Sequence, residues 1–367
     1  MRKFLTLLVF CTLLPWRVHF AAAQPTPELD TQHVFLITLD GLRWQELFAG
    51  SDESLVENKI YVHDPAALKA QFHVGDALAR RQTLMPFFWS EIATRGQLYG
   101  NRNLGCEADL TNNQVFSYPG YNEILTGKAD PAITSNDKIP NKNRTVLEFV
   151  NAQPGFINRV AAFASWDVFP YIINETRSGV PVNAGFAAAD HGALSPREVF
   201  LNALQKEIPS PWSTVRLDAF THHYAVEYIQ KYHPRLVYIA YGETDDFAHD
   251  GAYDAYLKSA RQTDAFIASL WALVQADPVY KDKTTFVITT DHGRGTVPLD
   301  TWRGHGTDIT GADEIWMAFL GPDTPALGEV ESCSLYQNQV ASTVARFLGF
   351  DFQAAQEAGP VVESAFN

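Results

Sequence analysis

At 367 residues, with 46% hydrophobic positions, the chain is long for a single buried core. Its 42 acidic residues against 28 basic ones give a formal net charge of −14, which makes a nucleic-acid backbone a poor partner. The same balance suits soluble, freely diffusing substrates and a site in which carboxylates hold cations.

In chain order, residues 1–23 come first: Arg2 and Lys3, an apolar run from Phe4 to Trp16, then Ala21, Ala22 and Ala23. A positive start, an apolar run and a small-residue cleavage site are the layout of a secretory signal peptide. The run is short of the roughly 20 apolar residues a spanning helix needs, and no later stretch reaches that length. The expectation is a periplasmic or secreted protein, mature from residue 24 to 367, with no membrane span after cleavage. Its charge is near −17 once Arg2, Lys3 and Arg17 are removed. Cys11 leaves with the signal, so Cys106 and Cys333 remain as an even pair in an oxidising compartment; a disulfide and two buried thiols are both open readings.

Four β-type runs come next: HVFLITLDG (33–41), PRLVYIAYGETD (234–245), TTFVITTDHG (284–293) and IWMAFLGP (315–322). Short apolar runs rich in β-branched and aromatic residues are typical of strands buried on both faces. Helical periodicity falls on 84–95, 145–152, 196–206, 214–232, 253–275 and 337–348. Strand and helix in alternation predict an α/β fold, a doubly wound, mostly parallel sheet with helices on both faces. The stretch from about 151 to 233 has weaker strand signals and scattered Gly and Pro. A cap or insertion beside the site and a plain continuation of the sheet both fit it.

The residues just past the strand ends carry the chemistry. The first run ends in Asp40, the second in Glu243, Asp245 and Asp246 with His249 just after, and the third in Asp291 and His292. In an open α/β sheet the ligand site lies beyond the carboxyl ends of the strands, so these residues converge on one rim. Asp245 and His249 are four apart and can face one cation from a first helical turn. His305 sits between glycines in WRGHGTD, where backbone freedom lets an imidazole reach inward. Carboxylates and neutral imidazoles are a zinc ligand set, and two such sites about 4 Å apart grip both oxygens of a phosphoryl transfer. Each residue has a bland alternative, since a strand-end Asp is usually a helix cap and Asp-Gly usually a turn. SYPGYNEILTG (117–127) raises the same choice, for Ser117 reads as a helix N-cap or as a nucleophile at a helix N-terminus.

The joint order Asp40, Ser117, Asp245, His249, Asp291, His292, His305 resembles the alkaline phosphatase superfamily, most closely its nucleotide pyrophosphatase/phosphodiesterase branch, through LITLDGLRW, SYPGYNEILTG, YGETDDFAHDG, VITTDHG and GHG. The resemblance implies two divalent metal ions, zinc by ligand type, one held by Asp40, Ser117, Asp291 and His292 and the other by Asp245, His249 and His305. It implies Ser117 as the nucleophile of a two-step transfer through a phosphoserine, and a downstream Asn as a phosphate contact. Asn136 is nearest in position, with Asn141 and Asn143 as rivals. The expected partner is a small-molecule phosphate ester, a diester slightly ahead of a monoester because no arginine clamp or third-metal motif is evident. Arg43, Arg177 and Arg303 are weighed as substrate contacts against ordinary ion pairs, and Tyr118 and Tyr121 as stacking surfaces against core packing. A second Asp-His-Gly, Asp190 to Gly192, comes after an alanine run rather than a strand and reads as loop. The alternatives are a sulfatase-like hydrolase, which would place an arginine where Tyr121 stands, and a binder of metal or phosphate without turnover.

Overall fold

The computed structural model describes residues 29–367, so the signal-peptide expectation on 1–23 lies outside the described residues. The strands are β1 (His33–Leu39), β2 (Gln97–Tyr99), β3 (Glu107–Asp109), β4 (Val160–Ala164), β5 (Val182–Ala184), β6 (Leu236–Tyr241), β7 (Thr284–Thr289), β8 (Met317–Leu320), β9 (Gly328–Glu329) and β10 (Ser334–Tyr336). Eight form one sheet in the order β5-β4-β6-β1-β7-β8-β2-β9, while β3 and β10 pair separately. From β5 to β7 every pairing is parallel; β8 runs antiparallel to both β7 and β2.

Strand β1 shows why its sequence is apolar throughout. Phe35, Ile37 and Leu39 join one core cluster, and Val34 and Leu36 join the cluster on the other face. Alternate side chains of a strand point to opposite faces, so a strand covered on both sides needs apolar residues at every position. Helices Asp218–Tyr232 and Tyr253–Ala276 cover the first face, through residues such as Tyr228, Ile267 and Leu270. Helices Ser117–Thr126, Val146–Asn151 and Val340–Phe347 cover the second.

The expected doubly wound α/β sheet is what forms, with local departures at helix starts. The 214–232 periodicity becomes a helix only from Asp218, because Val215 is drawn into a β-bridge with Trp166. The 84–95 segment is a π-helical turn at Phe88–Ile92 succeeded by Ala93–Arg95, with the preceding helix ending at Leu84, two residues before Pro86. Residues 151–233 contain β4 and β5 of the main sheet. Among the described residues no helix is long and apolar enough to cross a membrane.

Cys106 and Cys333 form a disulfide across a sequence separation of 227, at the head of the β3–β10 pair. A cross-link closing so long a loop restricts the unfolded chain strongly. Replacing both cysteines by Ala is expected to lower unfolding stability by about 2–5 kcal/mol, read from urea midpoints against the parent protein. Equal midpoints would show that the bridge contributes nothing to the fold.

Candidate active site

Parallel strands β1, β6 and β7 lie side by side in the middle of the sheet, and their carboxyl ends open on one rim. Asp40 directly follows β1, Asp245 and His249 sit on the short helix Glu243–His249 after β6, and Asp291 and His292 come just after β7. Helix Ser117–Thr126 brings its first residue to the same place.

Ser117 is not an N-cap. Phe116 holds that position without a side-chain cap, and the Ser117 hydroxyl lies 3.4 Å from His292 Nε2. The preceding Val115 has φ +54°, a left-handed conformation that a β-branched residue adopts only under strain. Strain of this kind costs on the order of 1–3 kcal/mol and concentrates where geometry serves a site. Gly120 explains its own place in SYPGY, since a Cβ there would come within 2.4 Å of the Asp291 carbonyl oxygen. The helix therefore presses directly on the backbone that carries Asp291 and His292.

Two groups of ligand atoms result. Asp40, Asp291 and His292 offer atoms within 4.8 Å of one another, as do Asp245, His292 and His305. His292 Nε2 stands 3.4 Å from Asp40 Oδ1, 3.5 Å from Asp291 Oδ2 and 3.7 Å from Asp245 Oδ1. At the second group, His249 Nε2 is 3.3 Å from Asp245 Oδ2 and 3.0 Å from His305 Nε2. Burial grades across the site: the Asp291 and His292 side chains are fully enclosed, whereas His249 is 45% exposed and marks the open side.

The donor chemistry fits a cation. Asp40 Oδ1 and Asp291 Oδ2 are buried without a hydrogen-bond partner, an arrangement that normally costs free energy unless a positive charge takes it up. His292 Nδ1 lies 3.0 Å from the Gly293 carbonyl, which fixes the proton on that nitrogen and leaves the Nε2 lone pair facing the carboxylates. The remaining contacts hold the ligands in place. Tyr121 donates to Asp40 Oδ2 at 2.8 Å, Thr244 donates to the Asp40 carbonyl at 2.5 Å, the Gly41 amide donates to Asp291 Oδ1 at 3.1 Å, and Gln337 Nε2 donates to the Asp291 carbonyl at 2.9 Å.

Electrostatics tell the same story. Burial, with Asp245 close by, pushes the Asp291 carboxyl up to about 8, and burial with Asp291 and Asp245 drives Asp40 well above the ordinary carboxylate range. Burial would raise Asp245 too, but Arg294, His249 and His305 outweigh it and hold it well below that range. Burial and the neighbouring His305 keep His292 neutral, and burial lowers His305 to about 4. Without a cation the carboxylates cannot all ionise together, so protons and cations compete for one space.

The other sequence-predicted residues divide clearly. Asn136 Oδ1 accepts the Tyr118 amide at 3.0 Å, which puts its side chain at the start of the Ser117 helix. Asn141 and Asn143 both donate to Asn122 Oδ1, at 3.0 and 3.2 Å, and belong to a loop network. Arg43 is locked onto Glu46 and the Gly295 carbonyl, and Arg177 onto Glu148 and the carbonyls of Asn141, Lys142 and Asn143. Arg303 donates to the His249 carbonyl at 2.8 Å. Neither tyrosine offers a stacking face: Tyr118 is buried with its hydroxyl on the Ile139 carbonyl at 2.6 Å, and Tyr121 is buried against Phe169. Asp190 and His191 lie on a loop lining a separate cavity of about 380 Å³ with Phe163, Tyr224 and Tyr228. Sequence reasoning missed the Tyr121 hydroxyl as a holder of Asp40, and it missed Arg294 altogether. The only available signal was a charged residue three positions after Asp291 in an otherwise apolar and small-residue turn.

The family model described as type I phosphodiesterase / nucleotide pyrophosphatase matches residues 124–315. Among solved structures, the chain resembles wild-type alkaline phosphatase PafA at 10% identity and TM-score 0.60, over 94% of this chain and 100% of that one. A putative sulfatase from Bacteroides thetaiotaomicron gives 11% identity and TM-score 0.59 over 91% and 74% of the two chains. A phosphonate monoester hydrolase from Silicibacter pomeroyi gives 13% and 0.54 over 90% and 76%. At these identities the likeness is one of fold. No curated protein sequence matches the chain.

Proposed function

Because the chain belongs to the type I phosphodiesterase / nucleotide pyrophosphatase family of alkaline phosphatase-like hydrolases, we propose that it is an exported phosphate ester hydrolase that works through a phosphoserine on Ser117 and prefers diesters. The observation that carries this reading is the convergence of Asp40 Oδ1, Asp291 Oδ2 and His292 Nε2 beside the Ser117 hydroxyl, two of those atoms being buried without partners.

Two divalent cations, probed first as zinc and held by Asp40, Ser117, Asp291 and His292 and by Asp245, His249 and His305, would supply positive charge that acidifies the serine hydroxyl and offsets charge on the phosphoryl oxygens. The chain's own residues do the rest. Ser117, at the first position of its helix, attacks phosphorus in line, the bond to the leaving oxygen breaks, and water then hydrolyses the phosphoserine to restore the hydroxyl. The helix start directs its positive dipole end at the incoming anion. In this reading the Asn136 NH2 donates to a phosphoryl oxygen, its Oδ1 being taken by the Tyr118 N–H. In this reading His249, on the open side, faces the leaving group. Export accords with the Cys106–Cys333 disulfide, since such bridges persist in oxidising compartments.

The test is the rate on bis(p-nitrophenyl) phosphate relative to p-nitrophenyl phosphate and p-nitrophenyl sulfate, with zinc-loaded protein. Faster turnover of the diester is expected. A faster monoester would overturn the diester preference, a faster sulfate ester would move the protein to the sulfatases, and no turnover of any of them would overturn the hydrolase reading.

A further inference from the structure

Arg294 is fully buried, and its guanidinium ties together the segments that carry the candidate ligands. Nε donates to the Gly41 carbonyl at 3.1 Å, next to Asp40 in sequence. Nη1 donates to the Arg303 carbonyl at 2.8 Å, two residues before His305. Nη2 donates to the Asp245 carbonyl at 3.1 Å and also to Asp245 Oδ1. Arg294 itself stands two positions after His292. Four segments, after β1, β6 and β7 and before His305, thus meet on one planar group.

The fit is close enough to dictate a neighbour. A Cβ on Gly41, whose φ is +57°, would lie 2.9 Å from both Nε and Nη2 of Arg294 and 3.0 Å from Asp245 Oδ1. The glycine of LITLDG is therefore required by the arginine as well as by its own turn. Only a guanidinium presents five donors in a fixed fork, so lysine, with its three donors on one nitrogen, could not span the whole set of acceptors.

The two ligand groups depend on this contact unequally. Asp40 and Asp291 have side-chain holders other than Arg294 in Tyr121, Thr244 and Gln337, beside the Gly41 amide. Asp245 is held by Arg294 through both its main chain and its carboxylate, and the Arg303 carbonyl is fixed by the same group.

We propose that Arg294 is a positioning residue that aligns Asp245 and the His305 loop, so that the Asp245/His249/His305 group binds its cation tightly while the Asp40/Asp291/His292 group binds almost independently of it. The proposal rests on the reading of both groups as cation sites. Outer contacts of this kind are typically worth about 10–100-fold in metal affinity.

The experiment uses the full mature protein, stripped and titrated with zinc, with bound zinc per chain measured by elemental analysis and affinity by competition with a chelating dye. The parent is expected to bind two zinc ions. Arg294→Met is expected to keep one at parental affinity and to bind the second about 10–100-fold more weakly, with Arg294→Lys between the two. Hydrolysis by both variants should recover as zinc is raised, which a general loss of structure would not allow. Two ions bound at parental affinity in Arg294→Met, or equal weakening at both sites, would overturn the proposal. So would loss of the parental far-UV dichroism in both variants, which would make Arg294 a requirement of the fold. A parent that binds no zinc would instead sink the cation reading of the site.

Discussion

Ser117→Ala is expected to abolish hydrolysis of both phosphate esters, by at least about 10³-fold in kcat, while leaving zinc content and thermal melting close to those of the parent. The loss is a matter of position: the Ser117 hydroxyl is 3.4 Å from His292 Nε2, against the ligand atoms that converge on the site. The retention comes from the bonds that the hydroxyl does not make. It does not cap its helix, whose N-cap is Phe116, so Ala at the first helical position removes no capping bond. Asp40, Asp291 and His292 still converge without it, held by Tyr121, Gln337 and the Gly41 and Gly293 backbone. Ser117→Thr returns a hydroxyl to the same point and should keep measurable turnover, although its extra methyl must fit a buried position. Assays with bis(p-nitrophenyl) phosphate, beside zinc analysis of each variant, decide the matter. Parental rates in Ser117→Ala would remove the phosphoserine and leave direct attack by water. Loss of zinc together with activity would mean that the hydroxyl serves chiefly as a ligand.

How far the chain's sequence reveals its fold and site depends on the range of the forces involved. The central strands β1, β6, β7 and β8 are legible because burial on both faces forces continuous apolar runs. Three-residue strands such as β2 and β5 leave no such trace; their pairing partners, β8 far along the chain and β4 some twenty residues back, decide their state. The residues Asp40, Asp245, Asp291 and His292 are legible because strand ends project to one rim, a topological consequence rather than a local one. His305 and Asn136 are placed by resemblance and by glycine-rich context, and the structure brings the first within 3.7 Å of Asp245 Oδ1 and the second to the Tyr118 amide. Arg294 is invisible because nothing in DHGRG says which way a long side chain turns. Its inward path is set by carbonyls supplied from Gly41, Asp245 and Arg303, on three segments that only the finished sheet brings together.

Removing divalent cations with EDTA is expected to drop hydrolysis to the Ser117→Ala level, and restoring zinc is expected to return it, with a stabilisation that grows with pH above neutrality. The pH dependence comes from the buried carboxylates. In the cation-free protein Asp291 titrates at about 8, far above an unfolded aspartate near 3.8, and Asp40 is shifted the same way. A carboxyl whose folded pKa is raised lends stability that is complete below the unfolded pKa and is lost as pH rises through the folded one. For Asp291 alone the metal-free fold should therefore weaken by about 1 kcal/mol between pH 7 and 8.5. The histidines disturb this window little: His305, lowered to about 4, and His292, held well below its ordinary value by burial, are neutral in the folded chain, and an unfolded histidine near 6.5 keeps only a minor protonated fraction above pH 7. Asp245, held low, is ionised throughout it. A cation displaces the proton from Asp291 and replaces the repulsion among carboxylates by attraction, so zinc-loaded protein escapes the alkaline weakening. Differential melting with and without zinc at pH 7.0 and 8.5 reads this directly. A zinc-induced shift that is equal at the two values would show that the carboxylates are already free of protons at pH 7, and a shift that shrinks at the higher value would show that a proton helps to hold the cation.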